Sequence, residues 1–407
     1  MSTTPNASST TPSIEPPEPP LKPLSGGLLL LMSTATGLAV ASNYYAQPLL
    51  PIIANEMQLS PTAAANIVTT AQLSYGAGLL LLVPLADLFE RRALIITLML
   101  LAALGLVLTT FAPTLPLLLL GTTITGLCSV VTQVMVPLAA TLSAPAQRGR
   151  AVGTMMSGLL IGILLARTVA GLISTLAGWR TVFGVAAIAI ILCTIALARA
   201  LPRYRQTVGL SYGQLLASVF ALFRDEPVLR LRATLGLLTF VLFSMFWTPL
   251  SFLLSSPPYG YSEAVIGLFG LVGAAGALSA SWAGRLADRG KGELGTLVGI
   301  GTLLISWLPL AFAQQSLLAL ILGVLLLDLA VQLVHVSNQN AIYAIRPEAR
   351  SRLTAGYMTC YFIGGATGSA IAAYLYTHHG WMGIVIASTA IAALTLAIGI
   401  IGLRKKA

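Results

Sequence analysis

Arg167 and Asp328 each stand inside a long apolar run. A full charge at the centre of a membrane helix costs about 2.5–3.5 kcal/mol on insertion scales, so such residues turn toward protein or a wet cavity and are candidates for function. Their chemistry would be that of a breakable pair: a proton on Asp328 releases it, and a substrate can compete for either member. Arg167 lies roughly 25 Å along a helix from Arg150, and Asp328 roughly 18 Å from Ser316 at 1.5 Å per residue. Entering from opposite faces, the two reach similar depth. Pairing with each other, separate pairing as static helix contacts, and no pairing all remain open.

Asp328 heads a polar stripe. Gln332, His335 and Gln339 follow at steps of 4, 3 and 4, which is one helix face, with Asn338 and Asn340 beside it. A polar face at membrane depth must look into protein or water. His335 reads either as a hydrogen-bonded structural group or as a proton carrier, since histidine ordinarily titrates near neutrality. Asp328, the single carboxylate inside a span, is the stronger proton candidate. Asn43, Tyr44, Tyr45 and Gln47 form another polar group. Asn43 and Gln47 share a face if the helix is continuous, and Pro48 and Pro51 permit a kink. Gln72, Tyr75, Gln133, Tyr357 and Tyr361 add single polar points. Phe240, Phe243, Phe246 and Trp247 make an aromatic run that suits either an amphiphilic organic substrate or a core or lipid contact.

The elements that carry these residues follow from composition. Of 407 residues 57% are hydrophobic and 8% charged, and mean hydropathy is +0.89. Soluble domains carry roughly 25% charged residues. A span needs about 20 apolar residues, and the apolar runs predict helices over 26–54, 62–86, 93–112, 115–142, 149–176, 181–200, 233–254, 262–285, 294–313, 316–344, 353–376 and 381–403. They are apolar all round, as membrane helices are, and no alternating strand pattern appears. Residues 1–25, rich in Ser, Thr and Pro, read as a disordered tail. Cys128, Cys193 and Cys360 fall in apolar runs and read as small buried hydrophobes, with no disulfide or metal expected.

The net charge of +10 is a topology signal and implies no nucleic-acid partner. With the N-terminus inside, every Lys and Arg except Arg167 and Arg180 falls on the inner side, which predicts cytoplasmic termini and an even helix count. The polar, basic stretch 201–232 divides the chain, and Tyr212–Phe223 within it is amphipathic enough for a short interfacial helix.

The two parts repeat each other. The run from Pro145 to Arg150 recurs from Pro347 to Arg352, 202 residues on, and the same offset carries Met156, Ile161, Gly162, Gly178 and Trp179 onto Met358, Ile363, Gly364, Gly380 and Trp381. An offset of 201 carries Leu85-Ala86-Asp87 onto Leu286-Ala287-Asp288. Parallel six-helix repeats are one transporter pattern, with the site between them at mid-membrane. Small residues recur along Gly158, Gly162, Ala166 and Ala170, and along Gly364, Gly368 and Ala372. They read as a sliding contact between repeats or as static packing.

Over residues 25–403 the chain resembles the major facilitator superfamily. That family's loop signature between helices 2 and 3, Gly-x-Leu-Ala-Asp-Arg-x-Gly-Arg-Arg, is matched at Leu85, Ala86, Asp87, Arg91 and Arg92, and again at Gly284-Arg285-Leu286-Ala287-Asp288-Arg289-Gly290-Lys291. Within it, the chain is similar to the bacterial drug and sugar efflux branch through Asn43-Tyr44-Tyr45-Ala46-Gln47-Pro48, the run around Arg167 and the run from His335 to Gln339. It departs where that branch has a helix 4 arginine, here Thr122, and a helix 5 proline, here Arg167. The resemblance implies twelve helices in two six-helix pseudo-symmetric bundles, 26–200 and 233–403, joined by the 201–232 linker. It implies a cavity faced by Asn43, Gln133, Trp247, Asp328 and Gln332, with Tyr44, Gln47, Asn338 and Tyr361 as further candidates. It implies a cytoplasmic gate in which Asp87, Arg91, Arg92, Asp288, Arg289, Arg148 and Arg350 pair across the bundles.

No nucleotide-binding loop or paired catalytic carboxylates occur, so neither an enzyme nor ATP drive is read, and no cofactor. The expectation is an all-α membrane protein of the bacterial inner membrane. As a monomer it would exchange or co-transport a small organic substrate with protons, with export first, proton-linked uptake of a sugar or organic acid second, and a transport-inactive sensor third.

Overall fold

The computed structural model describes residues 25–144, 147–205, 209, 211–273, 292–346 and 349–404. The expected tail before Ser25, the second signature loop with Asp288 and Arg289, and part of the linker lie outside the described residues. Helices form nearly all the rest, with no strand among the described residues.

The first expected span is broken. Helix α1 (Gly26–Ala41) starts at Ser25, whose hydroxyl caps the Leu28 N–H at 3.2 Å. The chain then turns through residues 42–46, makes a 3-10 turn over Gln47–Leu49 and re-forms α2 (Leu50–Glu56). Pro48 and Pro51 lack the N–H that would continue the ladder, and a prolyl ring crowds the carbonyl one turn back. Helix α3 (Pro61–Leu81) has the pairing of a Ser60 cap with Pro61 at its first position. There follow α4 (Arg91–Thr110), α5 (Leu115–Cys128) with α6 (Val131–Leu142), α7 (Arg148–Ala177) and α8 (Trp179–Ala200).

The linker carries α9 (Tyr212–Asp225), opened by a Ser211–Gln214 capping box. It buries Leu215, Val219 and Leu222 and exposes Phe220, as its amphipathic pattern requires. Then come α10 (Pro227–Ser255), α11 (Glu263–Gly273), α12 (Gly292–Ala311), α13 (Leu317–Tyr343) and α14 (Arg350–Arg404). Nine helices among the described residues are long and apolar enough to cross a membrane. Gly380, at φ +62°, divides α14 into the last two expected spans, and α1–α2 and α11 stand at the first and eighth. Leu176, Leu318 and Phe111 are 78%, 76% and 76% exposed, which suits lipid and not water.

The repeat is visible in packing. Gly158 and Gly162 of α7 lie on the backbone of α1 at Ser33 and Gly37, where a Cβ would collide. Gly364 and Gly368 of α14 lie in the same way on α10 at Leu237 and Val241. The glycines of the small-residue stripes therefore contact helices on the same side of the linker, not helices across it. Contacts across the linker division use other surfaces. Thr62 of α3 bonds Thr377 of α14 at 2.8 Å, and Thr168 of α7 donates to the Gly267 carbonyl of α11 at 3.0 Å.

Gly178 and Gly380 turn the chain with φ of +84° and +62°, and each is followed by a buried indole. Trp179 donates to Glu56 at 2.7 Å and Trp381 to the Leu310 carbonyl at 2.8 Å. Arg180 also pairs with Glu56 and reaches the Ala112 carbonyl at 3.2 Å, so this cation ties α2 and α8 to the segment that follows α4. Gly178→Ala should cost about 1–3 kcal/mol through backbone strain, although its Cβ would meet nothing within 4 Å. Gly149→Ala, equally open but without a positive φ, should leave thermal unfolding in detergent unchanged. Equal melting temperatures for the two variants would refute the assignment.

Candidate functional site

The centre of the molecule is built on Trp247. Helix α10 brings this indole between α7 and α13, where it meets both intramembrane charges. The Arg167 guanidinium lies over its ring, 4.2 Å from the centroid, and 5.0 Å from the Tyr44 ring centroid. On the other side the indole N–H donates to Asp328 Oδ1 at 3.1 Å. Arg167 Nε donates to Gln47 Oε1 at 2.7 Å. All these residues are buried. Arg167 and Asp328 are not joined by any direct ion pair among the described residues. In place of a direct pair the structure gives them a shared partner: the Trp247 indole contacts each charge. Desolvated cation–π contacts reach about 2 kcal/mol.

Helix α11 closes over this group through glycines at 267, 270 and 273, three apart on one face. A Cβ at Gly267 would strike the Arg167 carbonyl, one at Gly270 the Arg167 side chain, and one at Gly273 the Asp328 carboxylate. Sequence reading overlooked this strip, for which the three-residue spacing was the available signal.

The other expected cavity residues divide. Tyr361 stacks on Phe240 at 3.9 Å, and Phe243 lies 6.0 Å from Trp247, so these rings continue the wall. Phe246 meets Trp247 edge-on at 5.4 Å and Trp381 at 6.1 Å. Gln332 and Gln133 are half-buried. Asn43 does not share a face with Gln47, because the chain unwinds between them. It lines a separate narrow cleft with Thr109, Thr122 and Thr125, and neither of its amide atoms has a partner. Gln72, also buried, has both amide atoms unpartnered. Asn338 is drawn away from the cavity by Arg232. That guanidinium donates to Thr296 Oγ1 at 2.7 Å and to Asn338 Oδ1 at 3.3 Å. Arg232 reads in sequence as a linker charge, yet it is 4% exposed. His335 Nδ1 bonds the Tyr357 hydroxyl at 3.0 Å and touches no charged group.

At the basic end Asp87 pairs with Arg91 of its own loop at 3.8 Å, and the expected gate residues Asp288 and Arg289 lie outside the described residues. Arg92 donates to the Ala198 carbonyl, and Arg91 lies 5.3 Å from the Tyr204 ring centroid. The loop is thus tied to the end of α8. Its organiser is Glu90, which accepts from the backbone N–H groups of Arg92, Ala93 and Tyr204 at 2.8, 2.9 and 3.0 Å. An acidic residue ahead of a helix start was the missed signal. Arg148 and Arg350 are exposed, and Arg350 reaches only the Tyr343 carbonyl, at 3.4 Å. Contact with α9 is made instead by Tyr212, whose hydroxyl donates to the Leu81 carbonyl at 2.8 Å.

A multi-pass helical bundle with a buried polar centre and small-residue helix contacts defines a membrane transporter. The chain belongs to the Major Facilitator Superfamily, whose family model matches residues 32–308. It is 56% identical over 373 residues to the uncharacterized transporter YgaY of Escherichia coli O157:H7, covering 92% of this chain and 95% of that one. It is 33% identical over 359 residues to a protein of Streptomyces coelicolor named "Probable transporter SCO4007", covering 88% and 83%. In fold it is similar to a bacterial homologue of the human lysosomal transporter Spinster, with a TM-score of 0.75 at 14% identity over 94% and 97% of the chains.

The signature loop separates a decorative charge from a structural one. Asp87→Asn should change stability by less than about 0.5 kcal/mol, as for exposed i,i+4 pairs. Glu90→Ala should cost about 0.5–2 kcal/mol by removing a helix cap. Partial burial opposes ionisation of Glu90, but the Tyr204, Ala93 and Arg92 N–H groups and the Arg92 charge outweigh it and hold its carboxyl below the ordinary range. Its contribution is therefore full above that range and is lost as pH falls through the lowered value. Melting curves of wild type and Glu90→Ala should converge at acid pH and diverge toward neutrality.

Proposed function

We propose that the protein moves a small organic compound coupled to protons, by alternating access between bundles 26–200 and 233–403. Asp328 carries the proton, and Arg167 and Trp247 report its state to the substrate cavity. The observation that carries this reading is the double engagement of Trp247, by Arg167 of α7 and Asp328 of α13. Protonating Asp328 removes the charge opposite Arg167 and weakens the acceptor of the indole N–H, which loosens a contact between the bundles. The basic excess on one side supports cytoplasmic termini in a bacterial inner membrane.

Export is supported by the resemblance to the drug and sugar efflux branch. Uptake or co-transport of an organic acid is a second reading, favoured by one observation: Arg167 Nη2 is buried without a partner. An anion and a proton entering together would keep this desolvated site balanced.

Flux in liposomes under an imposed proton gradient tests the proposal. Substrate movement should follow the gradient, and Asp328→Asn should reduce gradient-driven flux about tenfold or more. Movement against the proton flow supports exchange; movement with it supports co-transport. Flux indifferent to both gradient and substitution would refute proton coupling through Asp328.

A further inference from the structure

The cleft beside Arg167 holds two polar groups that the chain itself does not use. It is narrow, and Gln47, Arg167, Trp247, Leu250, Ser251 and Ile266 line it. Arg167 and Ser251 are 4% and 2% exposed. Arg167 spends Nε on Gln47 and its flat face on Trp247 and Tyr44, and its Nη2 has no partner. Ser251 Oγ has none either. Many helical hydroxyls return to the carbonyl four residues back, as Ser129, Ser143 and Thr109 do at 2.7, 2.7 and 3.0 Å, while Thr36, Ser174 and Ser337 are unpartnered like Ser251 but do not line this cleft. Ser251 makes no such bond. An unsatisfied buried polar group costs about 1–3 kcal/mol, and here two from α7 and α10 meet in one small space.

Their chemistry selects a ligand group. Both can donate, one is cationic, and the remaining walls at Leu250 and Ile266 are apolar. A carboxylate offers two acceptor oxygens in a plane and a single negative charge, matching one guanidinium and one hydroxyl. A phosphate would bring charge that a single guanidinium does not balance. An amide offers one acceptor and an N–H₂ that faces donors, and an ammonium is repelled. Leu250, Ile266 and the Trp247 ring on the cleft wall suit an apolar or aromatic body.

We propose that the substrate is a monocarboxylate with an apolar body, its carboxylate accepting from Arg167 Nη2 and Ser251 Oγ. This rests on the transport reading and names the substrate class of the same site.

The test uses the full-length protein in detergent and a set of probes: the straight-chain acids from butyrate to decanoate, benzoate and phenylacetate, each beside its amide. Binding is read from thermal stabilisation, which follows mass action. At least one acid should stabilise the protein and its amide should not. Ser251→Ala should weaken that acid about tenfold or more, as loss of a hydrogen bond to a charged group does. The same variant should leave the unliganded protein as stable or more so, because it removes an unsatisfied hydroxyl, and a merely structural serine would behave in the opposite way. Arg167→Gln should abolish the acid's effect. The inference is overturned if amides bind as well as acids, if no acid binds, or if potassium chloride at equal ionic strength reproduces the shift. Gradient-driven liposome flux of neutral or cationic compounds with no acid binding would sink the carboxylate while leaving proton-coupled transport standing. Absence of any gradient-driven flux together with acid binding would sink the transport reading alone.

Discussion

Everything at the centre of this protein answers to one constraint: a charge at membrane depth has to be met by protein. Arg167 and Asp328 meet it through a third residue. Trp247 presents a π face to the cation and an N–H to the anion, so one side chain answers two opposite charges without letting them touch. A direct pair would stabilise both groups more firmly and be harder to open. Sharing an indole, each keeps unused bonding capacity. Helices α7, α10 and α13 have to be registered to within a turn for this to work, and α11 has to come close enough to exclude lipid. The glycines at 267, 270 and 273 make that approach possible, because any side chain there would occupy the space of Arg167 or Asp328.

Close approach through small residues is how the rest of the bundle achieves such register. Without a hydrophobic drive between helices in lipid, packing comes from contact area and polar contacts. Gly158 and Gly162 seat α7 on α1; Gly364 and Gly368 seat α14 on α10. These contacts bring backbone onto backbone and leave little freedom. The surfaces that join residues before the linker to those behind it are close as well: Gly171 and Gly267 bring α7 and α11 backbone to backbone, Tyr75 meets Phe362, and Thr62 and Thr168 add hydroxyl bonds.

The spans were legible because lipid imposes the same rule on every helix, and the repeat was legible because Gly178-Trp179 and Gly380-Trp381 perform the same turn. The identities of Arg167, Trp247 and Asp328 as central residues could also be read, since a charge in an apolar run has few explanations. Their partners could not. Which residues meet depends on helix rotation, and rotation is lost wherever the ladder breaks: Pro48 put Asn43 and Gln47 in different clefts. Charge counting failed for a related reason. Arg232 and Arg91 look alike in a loop count, yet one is buried against Thr296 and Asn338 while the other pairs with its own loop. Local contacts of this kind leave no periodic trace.

The two deeply buried arginines show why an unpartnered atom is not by itself a site. Arg232, like Arg167, has one guanidinium nitrogen without a partner. Its surroundings differ. Its bonds run to Thr296 and Asn338, neutral groups on α12 and α13, and so fasten three neighbouring helices on one side of the linker. Glu293 lies near enough to act on it electrostatically. Arg167 instead borders a cleft shared by helices from both sides of the linker, beside the unpartnered Ser251 hydroxyl and two aromatic faces. The first arrangement consumes a charge to hold a bundle together. The second leaves directed hydrogen-bonding capacity in a cleft between the two sets of helices, which is what the proposed carboxylate site requires.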